Sequence, residues 1–137
     1  MDDKSLVEAA FEARTHAYTP YSHWAVGAAL LCSDGTVYGG CNIENAAYTP
    51  SNCAERTAFF KAIYDGQRDF EAIAVVGGPE GKEAPEYCAP CGVCRQVMRE
   101  FCDLDHFRIL LGRSDGQIRT YSLRELLPES FGPENLA

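Results

Sequence analysis

Two short stretches of the chain hold side chains that can do chemistry together: Cys53-Ala54-Glu55-Arg56 and Pro90-Cys91-Gly92-Val93-Cys94-Arg95-Gln96. Each reads as the opening of a helix. Positions three apart share a helix face, so Cys91 and Cys94 can converge on one ion, and the free N–H groups and dipole at a helix start favour thiolate. Cys53 can add a third sulfur. Zinc held by three protein ligands keeps a fourth position for water and lowers that water's pKa, whereas a structural site closes with four ligands. Glu55, two residues past Cys53, would stand beside such a water, where a carboxylate moves protons without binding the metal. Arg56 lies three residues from Cys53 on the same face and can offset thiolate charge by hydrogen-bonding sulfur. Two other readings of the sulfurs stay open: Cys88 as a closing fourth ligand, and a redox C-x-x-C at a helix start. Pro90, pre-set for helix entry, separates Cys88 from Cys91 and Cys94.

The elements that must position these residues follow from local signals. Ser5-x-x-Glu8 is a capping-box pattern that predicts an amphipathic helix stopped by Pro20. Trp24 to Leu31 and Thr36 to Cys41 flank the turn Ser33-Asp34-Gly35 and predict a hairpin, followed by a loop from Asn42 to Asn52. Helical spacing over Cys53 to Asp65, with Gly66 at its end, predicts a second helix. Ile73 to Val76 reads as a buried strand. From Gly77 to Pro90 the chain is rich in Gly, Pro and Glu and reads as a loop able to move, before a helix over about Cys91 to Phe101. Phe107 to Leu111 and Ile118 to Tyr121 repeat the hairpin around Ser114-Asp115-Gly116. Ser122-x-x-Glu125 is a second capping box for a short helix that Pro128 closes, and the tail carries one bulky apolar residue, Phe131. This order predicts one mixed sheet covered by helices, in a single domain over residues 1–137.

The chain has 137 residues, 46% of them hydrophobic, which is enough for one packed core. A formal net charge of -8 with no run of Lys or Arg lacks the electrostatic footprint of a nucleic-acid binder, so a small or neutral substrate fits better. No apolar run approaches the ~20 residues a membrane span needs, and the start is too charged for a signal peptide. An odd set of 7 cysteines is unlike a secreted disulfide framework and points to a cytoplasmic protein using thiols for metal or catalysis. Cys32, Cys41 and Cys102 read as small buried residues, and the scattered His16, His23 and His106 receive no role.

C-A-E followed by P-C-x-x-C resembles the cytidine deaminase family, in the class whose three zinc ligands are all cysteine; the signature belongs to the general description of zinc deaminases. Further blocks agree in order: Pro20 to Leu30 (PYSHWAVGAAL), Gly40 to Tyr48 (GCNIENAAY), Cys53 to Ala58, Pro90 to Gln96 and Glu125 to Pro128. Together they span nearly the whole chain. The resemblance implies an α/β fold, a three-layer α/β/α sandwich around a five-stranded mixed sheet. It implies one Zn²⁺ per subunit on Cys53, Cys91 and Cys94, with Glu55 relaying protons as water replaces the 4-amino group of cytosine. Asn42 and Glu44 match the pair that hydrogen-bonds the ribose, and the backbone N–H of Ala54 matches a contact to the base. Ala46 and Tyr48 match positions reaching a neighbouring subunit's site in a homotetramer. Phe131 is then the tail aromatic that covers a neighbour's base.

Trp24 stands where the family usually carries Phe against the base, and the larger indole either deepens the stack or narrows the pocket. The loop before Pro90 is longer than in the shortest members, and its Cys88 is an extra sulfur. The expected activity is hydrolytic deamination of free cytidine and deoxycytidine. The alternatives are deamination of another aminopyrimidine nucleoside, such as an antibiotic, and a non-catalytic zinc or redox module. Asn42-Ile43-Glu44 and Arg56 favour the first, because blasticidin deaminases keep C-A-E but lack the Asn and the Arg. The acidic surface and Glu44 near the sugar disfavour phosphorylated substrates.

Overall fold

Nine regular elements follow one another before a short 3-10 turn at Pro133–Asn135: α1 (Asp3–Arg14), β1 (Trp24–Cys32), β2 (Val37–Cys41), α2 (Ala54–Tyr64), β3 (Phe70–Pro79), α3 (Gly92–Phe101), β4 (Arg108–Gly112), β5 (Ile118–Ser122) and α4 (Leu123–Leu126). The computed structural model describes residues 1–137. The strands form one five-stranded sheet in the order β2-β1-β3-β4-β5. β1 runs antiparallel to both of its neighbours, β3 and β4 are parallel across the α3 crossover, and β5 returns antiparallel on β4.

Alternation along the strands explains the layers, because successive side chains face opposite sides of a sheet. Ala29, Leu31, Ala72, Ala74, Val76 and Leu110 meet Leu6, Val7 and Ala10 of α1 on one side. Ala28, Leu30, Ile73, Val75, Ile109 and Leu111 meet Ala58, Phe59 and Ala62 of α2 and Met98 of α3 on the other. The expected three-layer α/β/α sandwich around a mixed sheet is therefore the fold. Helix α2 lies almost on the backbone of β2: a Cβ added to Gly40 would sit 2.2 Å from the carbonyl oxygen of Ala54 and 2.6 Å from the nitrogen of Ala58. That contact seats the first turn of α2, and with it Cys53 and Glu55.

Three sequence expectations change. Helix α1 starts earlier than its Ser-x-x-Glu pattern suggests, because the Asp2 side chain accepts from the Ser5 N–H at 2.8 Å and so caps the helix instead of Ser5. It ends at Arg14, whose guanidinium donates to the carbonyls of Ala25, Lys82 and Pro79 at 2.7–2.8 Å. Strand β3 continues through Gly77, Gly78 and Pro79, since β1 pairs with it as far as Trp24 opposite Pro79. The remaining loop is tied to the β4–β5 turn: Ala84 exchanges hydrogen bonds with Ser114, and the guanidinium groups of Arg113 and Arg119 each lie over the Tyr87 ring, at 4.8 and 4.3 Å from its centroid. The second capping box forms as expected, with Ser122 and Glu125 bonding each other's backbone. No helix is long and apolar enough to cross a membrane.

Candidate active site

The N-termini of α2 and α3 carry the sulfurs. Cys53 and Cys91 are the extended residues immediately preceding these helices, and neither side chain makes a capping hydrogen bond, so both thiols are free to turn toward each other. Their Sγ atoms lie 3.8 Å apart. Cys94, in the first turn of α3 and almost fully buried, completes a group whose sulfurs all lie within 4.8 Å of one another. Tetrahedral zinc with Zn–S bonds of about 2.3 Å separates its sulfurs by about 3.8 Å, so the trio fits that ion. Cys88 is outside the group: it packs over the end of β3, where a Cβ added to Gly77 would lie 2.7 Å from its sulfur.

Electrostatics separates the residues by role. Cys53 is pushed below the usual thiol range by its hydrogen bond with Cys94 and by Arg56, whereas Cys94 is pushed up because that bond leaves it the proton. A cation among the sulfurs would replace that shared proton. Arg56 donates from Nη2 to Cys53 Sγ at 3.1 Å, while its buried Nε has no partner. Glu55 is only 4% exposed, and burial, with a smaller push from the Cys53 thiolate, raises its carboxyl to about 7. A carboxyl poised there can both take and give a proton near neutral pH. Cys88 is raised by burial and by the nearby Glu55, and so remains a thiol.

The other expected site residues fall into two groups. Asn42 and Glu44 are held by their own chain: Asn42 accepts from the Val26 N–H at 2.9 Å and donates to the Trp24 carbonyl at 2.8 Å. Glu44 accepts from the N–H groups of Tyr21 and Ser22 at 3.1 Å and from the Ser22 hydroxyl, which hold its carboxyl below the usual range. Glu44 also lines a cleft of about 370 Å³ with Tyr21, Ser22, Tyr48 and Ser51. Ala54 begins α2, where its N–H has no intrahelical partner. Trp24 opens β1 and is 42% exposed. Ala46 is exposed, as are Tyr48 and Phe131, at 71% and 59%. Tyr48 sits at φ 61°, a left-handed conformation that costs free energy for a bulky residue. Sequence reading missed Ser22, which holds Glu44, and the Arg99 anchor of the tail; an arginine on a helix face gives no local sign of a partner 35 residues away.

Fold and sulfur trio together define a zinc-binding deaminase. The family model for the cytidine and deoxycytidylate deaminase zinc-binding region matches residues 1–108. A cytidine deaminase of Sporosarcina psychrophila is 50% identical over 137 residues, 100% of this chain and 96% of that protein. The crystal structure of cytidine deaminase from Burkholderia pseudomallei is similar with a TM-score of 0.87 at 48% identity, covering 96% of this chain and 100% of that one. A blasticidin-S deaminase of Bacillus cereus is more distant, 31% identical over 132 residues, 94% of this chain and 91% of that protein. The chain belongs to the cytidine deaminase family.

Proposed function

We propose that residues 1–137 form one catalytic domain that hydrolyses the 4-amino group of free cytidine and 2′-deoxycytidine, giving the uracil nucleosides and ammonia in cytoplasmic pyrimidine salvage. The observation that carries this reading is the convergence of three sulfurs at two helix N-termini with a buried carboxyl, Glu55, two residues from one of them. Cys53, Cys91 and Cys94 would hold zinc, which when bound would supply an activated water at neutral pH. Glu55 would move the protons, taking one from the attacking water and delivering it to N3 of the base, then passing a second to the amine as ammonia leaves. Arg56 donates to Cys53 and would offset the charge of the thiolates, so that a bound cation would keep its Lewis acidity.

The substrate is held by groups already fixed. Glu44, ionised by its bonds to Tyr21 and Ser22, accepts from a ribose hydroxyl, and Asn42 offers a second polar contact beside it. The Ala54 N–H donates to the base carbonyl, and the Trp24 indole packs on the ring. The large exposure of Tyr48 and Phe131, and the exposed Ala46 two residues before Tyr48, support a homotetramer in which these residues complete a neighbour's site. The test is ultraviolet-monitored deamination by the zinc-loaded protein of cytidine, deoxycytidine, cytosine, CMP, adenosine and blasticidin S. Turnover of the first two alone is expected. If both are inert, the proposal fails, and turnover of blasticidin S in their place would select the antibiotic reading.

A further inference from the structure

The tail beyond α4 is held in an unusual way. Arg99, on α3, is 7% exposed, and its guanidinium donates from Nε to the Ser130 hydroxyl at 2.8 Å, from Nη1 to Glu134 Oε1 at 3.2 Å and from Nη2 to Glu134 Oε2 at 2.8 Å. This is a fork on a carboxylate, the geometry in which arginine fixes orientation as well as distance. Gln96, three residues earlier on the same helix face, donates to the Phe131 carbonyl at 2.9 Å. Gly132 lies flat on the guanidinium: an added Cβ would come within 2.2 Å of Cζ.

The backbone before, at and after Phe131 is therefore pinned, while the Phe131 ring itself is 59% exposed. Arg99 is buried beneath the tail while its partner Glu134 and the Phe131 ring both face outward, so the clamp fixes the tail backbone without burying the aromatic in its own subunit. The clamp also stands on the helix that carries Cys94, so tail and sulfur site share one rigid element. We propose that Arg99, through Glu134 and Ser130, is a positioning residue that aims Phe131 at the base bound in a neighbouring subunit. The inference rests on the reading of Phe131 given above and adds the residues that set its direction.

A tail seated only part of the time lowers apparent affinity by the fraction seated, so a fall to one-fifth raises KM about fivefold. The effect is bounded by loss of the ring: aromatic–base stacking corresponds to about 5- to 150-fold. Glu134, on the surface, can be changed without endangering the core, and Gly132→Ala provides a second, steric route to the same disturbance. Glu134→Gln and Gly132→Ala are expected to raise KM for cytidine about 3- to 10-fold, to keep kcat within about twofold, and to add nothing further in a Phe131→Ala background, since coupled residues are non-additive. Hydrogen exchange over residues 129–135 is expected to accelerate in both. Unchanged KM in both variants, effects that multiply with Phe131→Ala, or a fall in kcat alone would overturn the assignment. An unchanged KM in Phe131→Ala would overturn it too, while leaving the deaminase reading intact. If the wild type were inert on cytidine, the function reading would fail separately, and the exchange rates would decide the clamp: unaltered protection in Glu134→Gln refutes it.

Discussion

Glu55→Gln keeps the shape and burial of the side chain while removing its ability to carry a proton, and two consequences of different kind are expected. The first is kinetic. On the proposed reading Glu55 carries two proton transfers in each turnover, and a positioned acid or base contributes about 10²- to 10⁴-fold to a single transfer, so kcat/KM for cytidine is expected to fall at least about 10⁴-fold. Zinc content is expected to stay at one per subunit, because the three sulfurs are untouched. The second is thermodynamic. Folding moves the Glu55 carboxyl from 4.5 to about 7, chiefly by burial. That displacement corresponds to about 3 kcal/mol of preference for the neutral form. Below about pH 4 the group is neutral in folded and unfolded chains alike and costs nothing. As pH rises through 4.5 toward 7 the unfolded chain ionises first, so the wild type loses stability, and above about pH 8 the full cost is present. Gln carries no such cost. With metal removed under reducing conditions, the variant is expected to exceed the wild type by up to about 3 kcal/mol at pH 8 and to match it at pH 4 in urea titrations. Cytidine absorbance, metal analysis and unfolding midpoints are the three readouts. Turnover within tenfold of wild type would refute the proton-relay reasoning, and a stability difference independent of pH would refute the burial account.

Two further changes test the register and the scaffold. Cys88→Ser is expected to leave zinc content and activity in place, whereas Cys91→Ser and Cys94→Ser are expected to lose both; the opposite pattern in metal analysis would move the site three residues along the chain. Gly40→Ala forces a Cβ to 2.2 Å from the Ala54 carbonyl oxygen, so α2 must shift outward. Overpacking of this kind costs about 1–3 kcal/mol, and misplacing Glu55 by about 1 Å is expected to lower kcat about 10²-fold, as a thermal melt and a rate measurement would show.

Much of the scaffold was readable because its signals are local. The Ser-Asp-Gly turns place Gly35 and Gly116 at φ 89° and 91°, and both hairpins form around them as expected. Helix starts at Cys53 and Cys91 were legible from Pro90 and from apolar spacing, and these two starts position the sulfurs. What escaped were effects decided by distant partners. Asp2 competes with Ser5 for the cap of α1, a contest the pattern alone does not resolve. Gly77 and Gly78 look like loop, yet β1 pairs with them, and the absence of side chains lets Cys88 and Ala84 pack directly on the strand. Asn42 and Glu44 were found by resemblance, but their hydrogen bonds to Val26, Trp24, Tyr21 and Ser22 join segments about 20 residues apart and have no periodic trace. Arg99 was invisible for the same reason.

Cys53 and Cys91 are 38 residues apart, and each begins a helix whose first N–H groups lack a side-chain cap. On the proposed reading of the site, the metal is thus a staple between two helices as well as a reagent. Closing a loop of that length removes about 4 kcal/mol of freedom from the unfolded chain, on the scale of an entire small domain's margin of stability. Supply of the ion would then govern how much protein persists as well as how fast each copy works, so that scarcity of the metal would act on abundance through proteolysis before it was felt as slow catalysis.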